Sequence, residues 1–216
     1  MSKNKQKQII LIGGGDFTKK VIRLISGQKQ YHILGYTDII DRGELFGVKY
    51  LGEDKSLIQF LNTIEDVYAV MCIAGNIKLL PRKLELIQFY KSHGCIFPSV
   101  ISVNAFVDQT VLIGEGVLVF DKAYIDFNVI LGNNVVINID SLLGHDSSIG
   151  NNSTISPKSI IGGGTKIGSN CFIGLNSTIN PYLKIHKNII IGAGSLVHKS
   201  LNEPGIYAGN PCKKIR

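Results

Sequence analysis

Residues 141–179 read SLLGHDSSIGNNSTISPKSIIGGGTKIGSNCFIGLNSTI, and every sixth position in them (Leu143, Ile149, Ile155, Ile161, Ile167, Ile173, Ile179) is a branched aliphatic. Extended both ways, the register runs unbroken from Ile101 to Val197, and all 17 positions are Ile, Val or Leu. Two residues before them the side chain is mostly small, as at Ser99, Ala105, Ala123, Ser141, Ser147, Ser153, Ser159, Thr165, Cys171, Ser177 and Ser195. Eight of the 17 are followed directly by glycine. A period of six is neither the 3.6 of a helix nor the alternation of a simple strand. It describes a short strand that points one aliphatic inward, then a corner, again and again. The aliphatics stack coil on coil about 4.8 Å apart. Small residues fit the corners, and Gly162–Gly164, Asn133–Asn134 and Asn151–Asn152 supply the unusual dihedrals there. Each buried aliphatic contributes about 1.5–3 kcal/mol before ordering entropy is subtracted, and such a solenoid is stable only as a stack. An antiparallel sandwich would need hairpins at uneven intervals, against which the unbroken register argues.

The first hundred residues follow another pattern. Ile9–Ile12 is a buried-strand run leading into Gly13, Gly14 and Gly15, after which Val21, Ile22, Leu24 and Ile25 fall at helical spacing. Strands are expected at Tyr31–Tyr36, Tyr68–Ala74 and Cys95–Phe97, and helices near Ser56–Leu61 and from Pro81 to a stop at Gly94. Strands alternating with helices indicate a small Rossmann-like α/β sheet. Ligands of such sheets bind at the carboxyl ends of the strands, which groups Gly13–Gly15, Asp38, Gly75 and Asn76 around one crevice. The glycines suit either a phosphate cradle at a helix N-terminus or a bare strand-to-helix turn. Thr18 occupies the place of the last glycine of a dinucleotide fingerprint, which disfavours an NAD-linked oxidoreductase. Asp38 reads equally as a ligand contact or a surface turn. Two domains are expected, residues 1–98 and 99–216, the second ending in a C-terminal tail, with Phe97-Pro98-Ser99 passing from one to the other without a flexible linker.

Composition bounds the function. The chain has 216 residues, 44% hydrophobic and 18% charged, and no apolar run approaches the roughly 18 residues of a membrane span. Ile9–Ile12 is too short for a signal-peptide core, so a cytoplasmic location is expected. The net charge of +7 is spread thinly, without the arginine clusters or interleaved aromatics of a nucleic-acid binder; a phosphate-bearing small ligand suits it better. Cys72, Cys95, Cys171 and Cys212 lack metal-ligand spacing and read as buried small hydrophobes in a reducing compartment.

Of five histidines, His186 and His198 each follow a repeat position and should face solvent, and His32 and His93 have no partner in sequence. His145 stands inside the coils in Leu142-Leu-Gly-His-Asp146, where it costs the solenoid a turn residue that Gly or Asn would supply more easily. By itself it reads more readily as a tolerated surface histidine than as a functional one.

The six-residue repeat resembles that of the hexapeptide-repeat acyltransferases. The resemblance implies a left-handed parallel β-helix with three hexapeptides per coil, hence between five and six coils here. An N-terminal Rossmann-like domain, a hexapeptide helix, the pair His145-Asp146 and the ending Pro204-Gly-Ile-Tyr-Ala-Gly-Asn-Pro211 are together similar to one subfamily. It comprises the nucleotide-sugar N-acetyltransferases of bacterial glycan biosynthesis, of the bacillosamine-pathway type, and the related sialic acid O-acetyltransferases.

Residue by residue, the resemblance implies His145 as general base and Asp146 as its acidic partner. Gly13, Gly14, Gly15, Asp38, Gly75 and Asn76 would contact the nucleotide sugar, and Asn138 the acceptor. Thr154, Gly163, Leu175, Ala193 and Lys213 would lie along acetyl-CoA. Thr154 stands where some members have a second histidine, and Asp16-Phe17 replaces the usual Gly-His after the first glycines. The implied activity is direct transfer from acetyl-CoA to a nucleotide-linked amino sugar, without a metal; the alternatives are a sugar O-acetyltransferase and a non-catalytic scaffold. The implied assembly is a homotrimer with acetyl-CoA in the groove between two β-helices, for which Leu112, Leu118, Phe120, Phe127, Leu142 and Phe172 offer outward apolar surface.

Overall fold

The computed structural model describes residues 6–61, 66–74 and 77–216. It forms two compact units, Met1–Pro98 and Ser99–Arg216.

In the first unit β1 (Lys7–Ile12), β2 (Tyr31–Thr37), β3 (Tyr50–Gly52) and β4 (Tyr68–Met71) form one parallel sheet in the order β3-β2-β1-β4. Ile9–Ile12 are wholly buried at its centre. Helix α1 (Asp16–Ser26) buries Val21, Ile22, Leu24 and Ile25, the positions with helical spacing. The short helix α2 (Ile58–Leu61) follows a 3-10 turn, and α3 (Leu80–Ser92) begins with Pro81 in its first turn, where a missing N–H costs nothing. Two expectations need correction. The strand expected at Tyr68–Ala74 ends at Met71, and Cys95–Phe97 makes only a single bridge, Ile96 to Tyr68, before Pro98. The fourth strand is instead β3 at the edge beside β2, three residues long and too short to show alternation.

A buried polar network holds α3 to the sheet. The Asp54 carboxylate accepts hydrogen bonds from Thr37 Oγ1 (2.8 Å) and Tyr90 Oη (2.9 Å), and Arg82 Nη2 lies 3.1 Å from its other oxygen. Burial first, and then the Asp54 charge, push the Tyr90 hydroxyl well above its usual range.

The second unit is a left-handed parallel β-helix. Its strands are mostly two residues long, and each pairs in parallel with its counterpart one coil away, the third strand on in sequence. Three sheets result: a first face from Val100–Ile101 to Ile189–Ile191 with the C-terminal Gly205–Ala208 and Lys213–Lys214 added, a second from Phe106–Val107 to Leu196–Val197, and a third from Leu112–Ile113 to Lys184–Ile185. The aliphatics from Val119 to Val197 in the six-residue register fill the interior at 0–3% exposure.

The small residues do more than fit the corners. Hydroxyls of Ser99, Ser141, Ser153, Ser159, Thr165 and Ser177 each donate to a carbonyl of the next coil (2.6–3.0 Å). They tie each corner to the next coil by side-chain bonds that add to the strand ladder. One residue per corner is left-handed: Lys122, Asn128, Asn134, Asp140, Asp146, Asn152, Lys158, Asn170, Asn176, Tyr182 and Asn188 have φ between 53° and 60°. The turn position thus belongs to Asp146, and His145 precedes it, contrary to the expectation that the histidine displaces the turn residue.

The turn and the buried network can each be tested by substitution. Lys158 is exposed at φ 60°; Lys158→Val should lose about 1–2 kcal/mol in urea denaturation, as a β-branched residue is strained there, whereas Lys158→Gly should lose nothing. Tyr90→Phe, leaving Asp54 Oδ1 with one donor, should cost about 1–3 kcal/mol. Because the folded state raises the Tyr90 pKa above 10.0, its unfolded form ionises first. The wild type should therefore lose stability as pH rises above that value, and Tyr90→Phe should lose less.

Candidate functional site

In the first unit the carboxyl ends of β1, β2 and β4 open onto a cleft of about 400 Å³. Its walls include Gly13, Gly14, Gly15, Asp38, Arg42 and Arg82, so Gly13–Gly15 and Asp38 come together as expected. Gly75 and Asn76 lie outside the described residues. The glycines have separate reasons. Gly13 has φ 107° and donates its N–H to the Thr37 carbonyl at 2.8 Å. A Cβ on Gly14 would come within 2.6 Å of the Tyr36 ring and 2.9 Å of Asp38 Oδ2. Gly15 stands at the N-cap of α1, which no side chain caps.

Asp38 is no surface turn. Its side chain is 15% exposed, and Oδ2 accepts the Gly14 N–H at 2.7 Å and faces Arg42 Nε at 3.4 Å. With the Gly13 and Gly14 amides engaged internally, the cationic groups facing the cleft are Arg42 and Arg82, backed by the positive end of α1. Sequence reading missed both arginines, along with Thr37 and Asp54, which also line it. The available signal was weak in pattern: Pro81-Arg82 opens a helix after a strand end, at the level where such sheets bind ligands.

In the β-helix His145 sits at the corner between the second and third faces. Its Nδ1 lies 2.8 Å from Asp146 Oδ2. Asn128, one coil earlier, donates Nδ2–H to Asp146 Oδ1 at 3.1 Å. Hydrogen bonds from His145 and then Asn128 lower the Asp146 carboxyl pKa, so the carboxylate is charged at neutral pH and accepts Nδ1–H. That tautomer leaves a lone pair on Nε2. Phe127 stacks on the imidazole, ring centroids 5.2 Å apart and 13° from parallel. On the other side the ring meets Gly163, where a Cβ would fall 2.6 Å from Nε2. The imidazole remains 41% exposed.

The other expected positions distribute over the same unit. Leu175 and Ala193 are exposed at the corner between the first and second faces, so they and the His145–Gly163 corner border the second face on opposite edges. That face carries Phe106, Tyr124, Leu142 and Ile160, paired in turn and 39–50% exposed. Lys213 is exposed in the last strand. Thr154 and Asn138 are not brought to this face: Thr154 is buried in the first face, and Asn138 is buried with its amide on the Ile155 carbonyl at 3.0 Å. Of the apolar residues expected outward, Leu112, Phe127 and Leu142 are exposed and Phe172 half-buried, but Leu118 and Phe120 are buried. The pattern gave their direction from the strand and not what covers them. Among the described residues no group of His, Cys, Asp and Glu could hold a metal, and no helix is long and apolar enough to cross a membrane.

Residues 8–82 match the family model of the PglD N-terminal domain. Perosamine N-acetyltransferase from Caulobacter crescentus, solved as a histidine-to-asparagine variant in complex with CoA and GDP-perosamine, is 25% identical over 96% of both chains, with a TM-score of 0.89. The acetyltransferase domain of PglB from Neisseria gonorrhoeae in complex with acetyl coenzyme A has the same fold (23% identity, 97% of this chain and 100% of that one, TM-score 0.87). So does WeeI from Acinetobacter baumannii (22% identity, 96% and 99%, TM-score 0.65). No curated protein matches the chain. Residues 8–82 thus resemble the PglD N-terminal domain, and over 96% of its length the chain shares the fold of the perosamine N-acetyltransferase.

Proposed function

We propose that this chain is an acetyl-CoA-dependent N-acetyltransferase acting on the amino group of a nucleotide-linked amino sugar in bacterial surface-glycan synthesis, with His145 as general base. The observation that carries the reading is the 2.8 Å contact of His145 Nδ1 with Asp146, which directs the free Nε2 of a half-exposed ring away from its partner. The sugar nitrogen attacks the thioester carbonyl, a C–N bond forms as the C–S bond breaks, Nε2 takes the amine proton, and the imidazolium returns that proton to the departing thiolate, which leaves His145 neutral again. Asp146 keeps the tautomer and stabilises the imidazolium as it forms.

The cleft of the first unit suits a nucleotide diphosphate. Its two arginines and the start of α1 oppose phosphate charge, and Gly15 keeps that approach open. Acetyl-CoA is assigned to the second face of the β-helix, with Gly163, Leu175 and Ala193 at its edges, the apolar ladder between them and the Lys213 ammonium for phosphate. Thr154 and Asn138 are buried away from that face, so no contact with acetyl-CoA or the acceptor is assigned to them. The same apolar ladder favours a homotrimer, since symmetric association would cover it. The similar perosamine N-acetyltransferase favours an amine over a hydroxyl acceptor, and a scaffold would have no use for a histidine held by a carboxylate.

His145→Ala should lower kcat at least about 100-fold with little change in Tm. Asp146→Asn should cost less and alter the pH–rate profile. Activity of His145→Ala close to wild type would end the assignment. The free amino sugar should be a far poorer substrate than its nucleotide-linked form, because remote binding energy positions the amine; equal kcat/KM for the two would remove the nucleotide from the reading. Equilibrium sedimentation should give three times the chain mass.

A further inference from the structure

We propose that Phe127 and Asn128, the corner pair one coil before His145-Asp146, are positioning residues that set the angle of the His145 imidazole. The proposal rests on His145 as the base. Phe127 stands one coil before His145 and Asn128 one coil before Asp146, so the four occupy equivalent corner positions in adjacent coils. The Asp146 N–H donates to the Phe127 carbonyl at 3.0 Å, and Asn128 and Asp146 share φ 57°. This backbone match brings the side chains face to face.

The imidazole is then bounded on three sides. Phe127 lies flat on one face, Gly163 leaves room at the other, and Asp146 holds Nδ1. Asp146 itself is held by Asn128, and the string continues upward: the Asn128 N–H donates to Thr110 Oγ1 at 2.8 Å, and Thr110 Oγ1–H donates to Asp108 Oδ1 at 2.6 Å. Phe127 is 45% exposed.

A purely structural role has a built-in comparison. At another corner Asn152, Asn170 and Asn188 form a similar column, with Nδ2–H to Oδ1 bonds of 3.3 and 3.0 Å. If Asn128 merely pins coils, Asn152→Ala should be its equal in every assay.

The test uses the full chain with labelled histidine and five variants: Phe127→Leu, Phe127→Tyr, Asn128→Ala, Asn152→Ala and His145→Ala, the last also assigning the His145 ring resonance. A stacked phenyl shields the imidazole, so that resonance should lie at higher field in the wild type and Phe127→Tyr than in Phe127→Leu. With acetyl-CoA and the nucleotide-linked sugar, Phe127→Leu and Asn128→Ala should lose about tenfold in kcat with KM nearly unchanged. Phe127→Tyr should recover most of it, and Asn152→Ala should lower Tm without lowering kcat. An unmoved resonance in Phe127→Leu overturns the proposal whatever the activities, and so does an equal kcat loss in Asn152→Ala. If His145→Ala is inactive while Phe127→Leu and Asn128→Ala match the wild type, the base assignment stands and the positioning role falls. If His145→Ala stays active, the base assignment falls and the positioning role falls with it.

Discussion

One left-handed residue in every six governs the β-helix. From Gly116 to Gly194 each sixth residue has positive φ, a conformation that costs most side chains about 1–2 kcal/mol and glycine almost nothing. Asparagine and aspartate tolerate it best among the rest, and they fill eight of the eleven non-glycine places between Lys122 and Asn188. With the turn fixed, a strand has room for one inward and one outward side chain before the next corner. The period of six, the three faces and the coil-on-coil register all descend from it.

The same constraint decides where chemistry can reside. The faces hold two-residue strands whose inward side chains are committed to the core and whose outward ones line up along the face, as Phe106 and Tyr124 do with ring centroids 4.7 Å apart. At a corner, side chains from successive coils stack in a column, with backbone bonds such as Gly164 N–H to the His145 carbonyl at 2.7 Å fixing the rise between them. A corner histidine therefore gains neighbours from the coil before and the coil after. Because aspartate suits the left-handed place, the pair His145-Asp146 costs the fold little, and its charged member sits where the helix already wanted Asp or Asn. The first unit meets the opposite problem. Its charge at Asp54 is buried, and it is held by a hydroxyl, a phenol and a guanidinium, because an unpaired buried carboxylate would be expensive.

Much of this was legible in the residues. The register from Ile101 to Val197 is written as a period, and Ile9–Ile12 with its glycines is a strand leading to a helix. His145 beside Asp146 was visible as adjacent letters. The column Phe127–His145–Gly163 was legible in principle, since three steps of six make one coil, although Phe127 reads there as outward apolar surface and Gly163 as a cofactor contact, with no link of either to the His145 ring. The network of Thr37, Asp54, Arg82 and Tyr90 was not: its members are brought together by sheet and helix packing, and no spacing links them. Leu118 and Phe120 show a further limit. A repeat fixes the direction of a side chain from its own strand, but burial depends on whatever else lies over that strand. The edge strand Tyr50–Gly52 escaped because three residues carry no period.

Gly162–Gly164 invites a reading as a flexible hinge beside the histidine, and the contacts argue against it. A Cβ at Gly162 would meet the Pro181 backbone at 2.5 Å, one at Gly163 the His145 ring at 2.6 Å, and one at Gly164 the Tyr182 ring at 2.4 Å. Neighbouring coils thus occupy all three places where side chains would begin. The backbone is held from both sides, since Gly164 donates to His145 and the Tyr182 N–H donates to the Gly163 carbonyl at 2.9 Å. The run of glycines is the imprint of rings packed from above and below, so its conformational freedom goes to clearance for His145 and Tyr182. A rigid base needs such clearance, because an imidazole pressed by a methyl group on Gly163 could keep its bond to Asp146 only by leaving the face of Phe127.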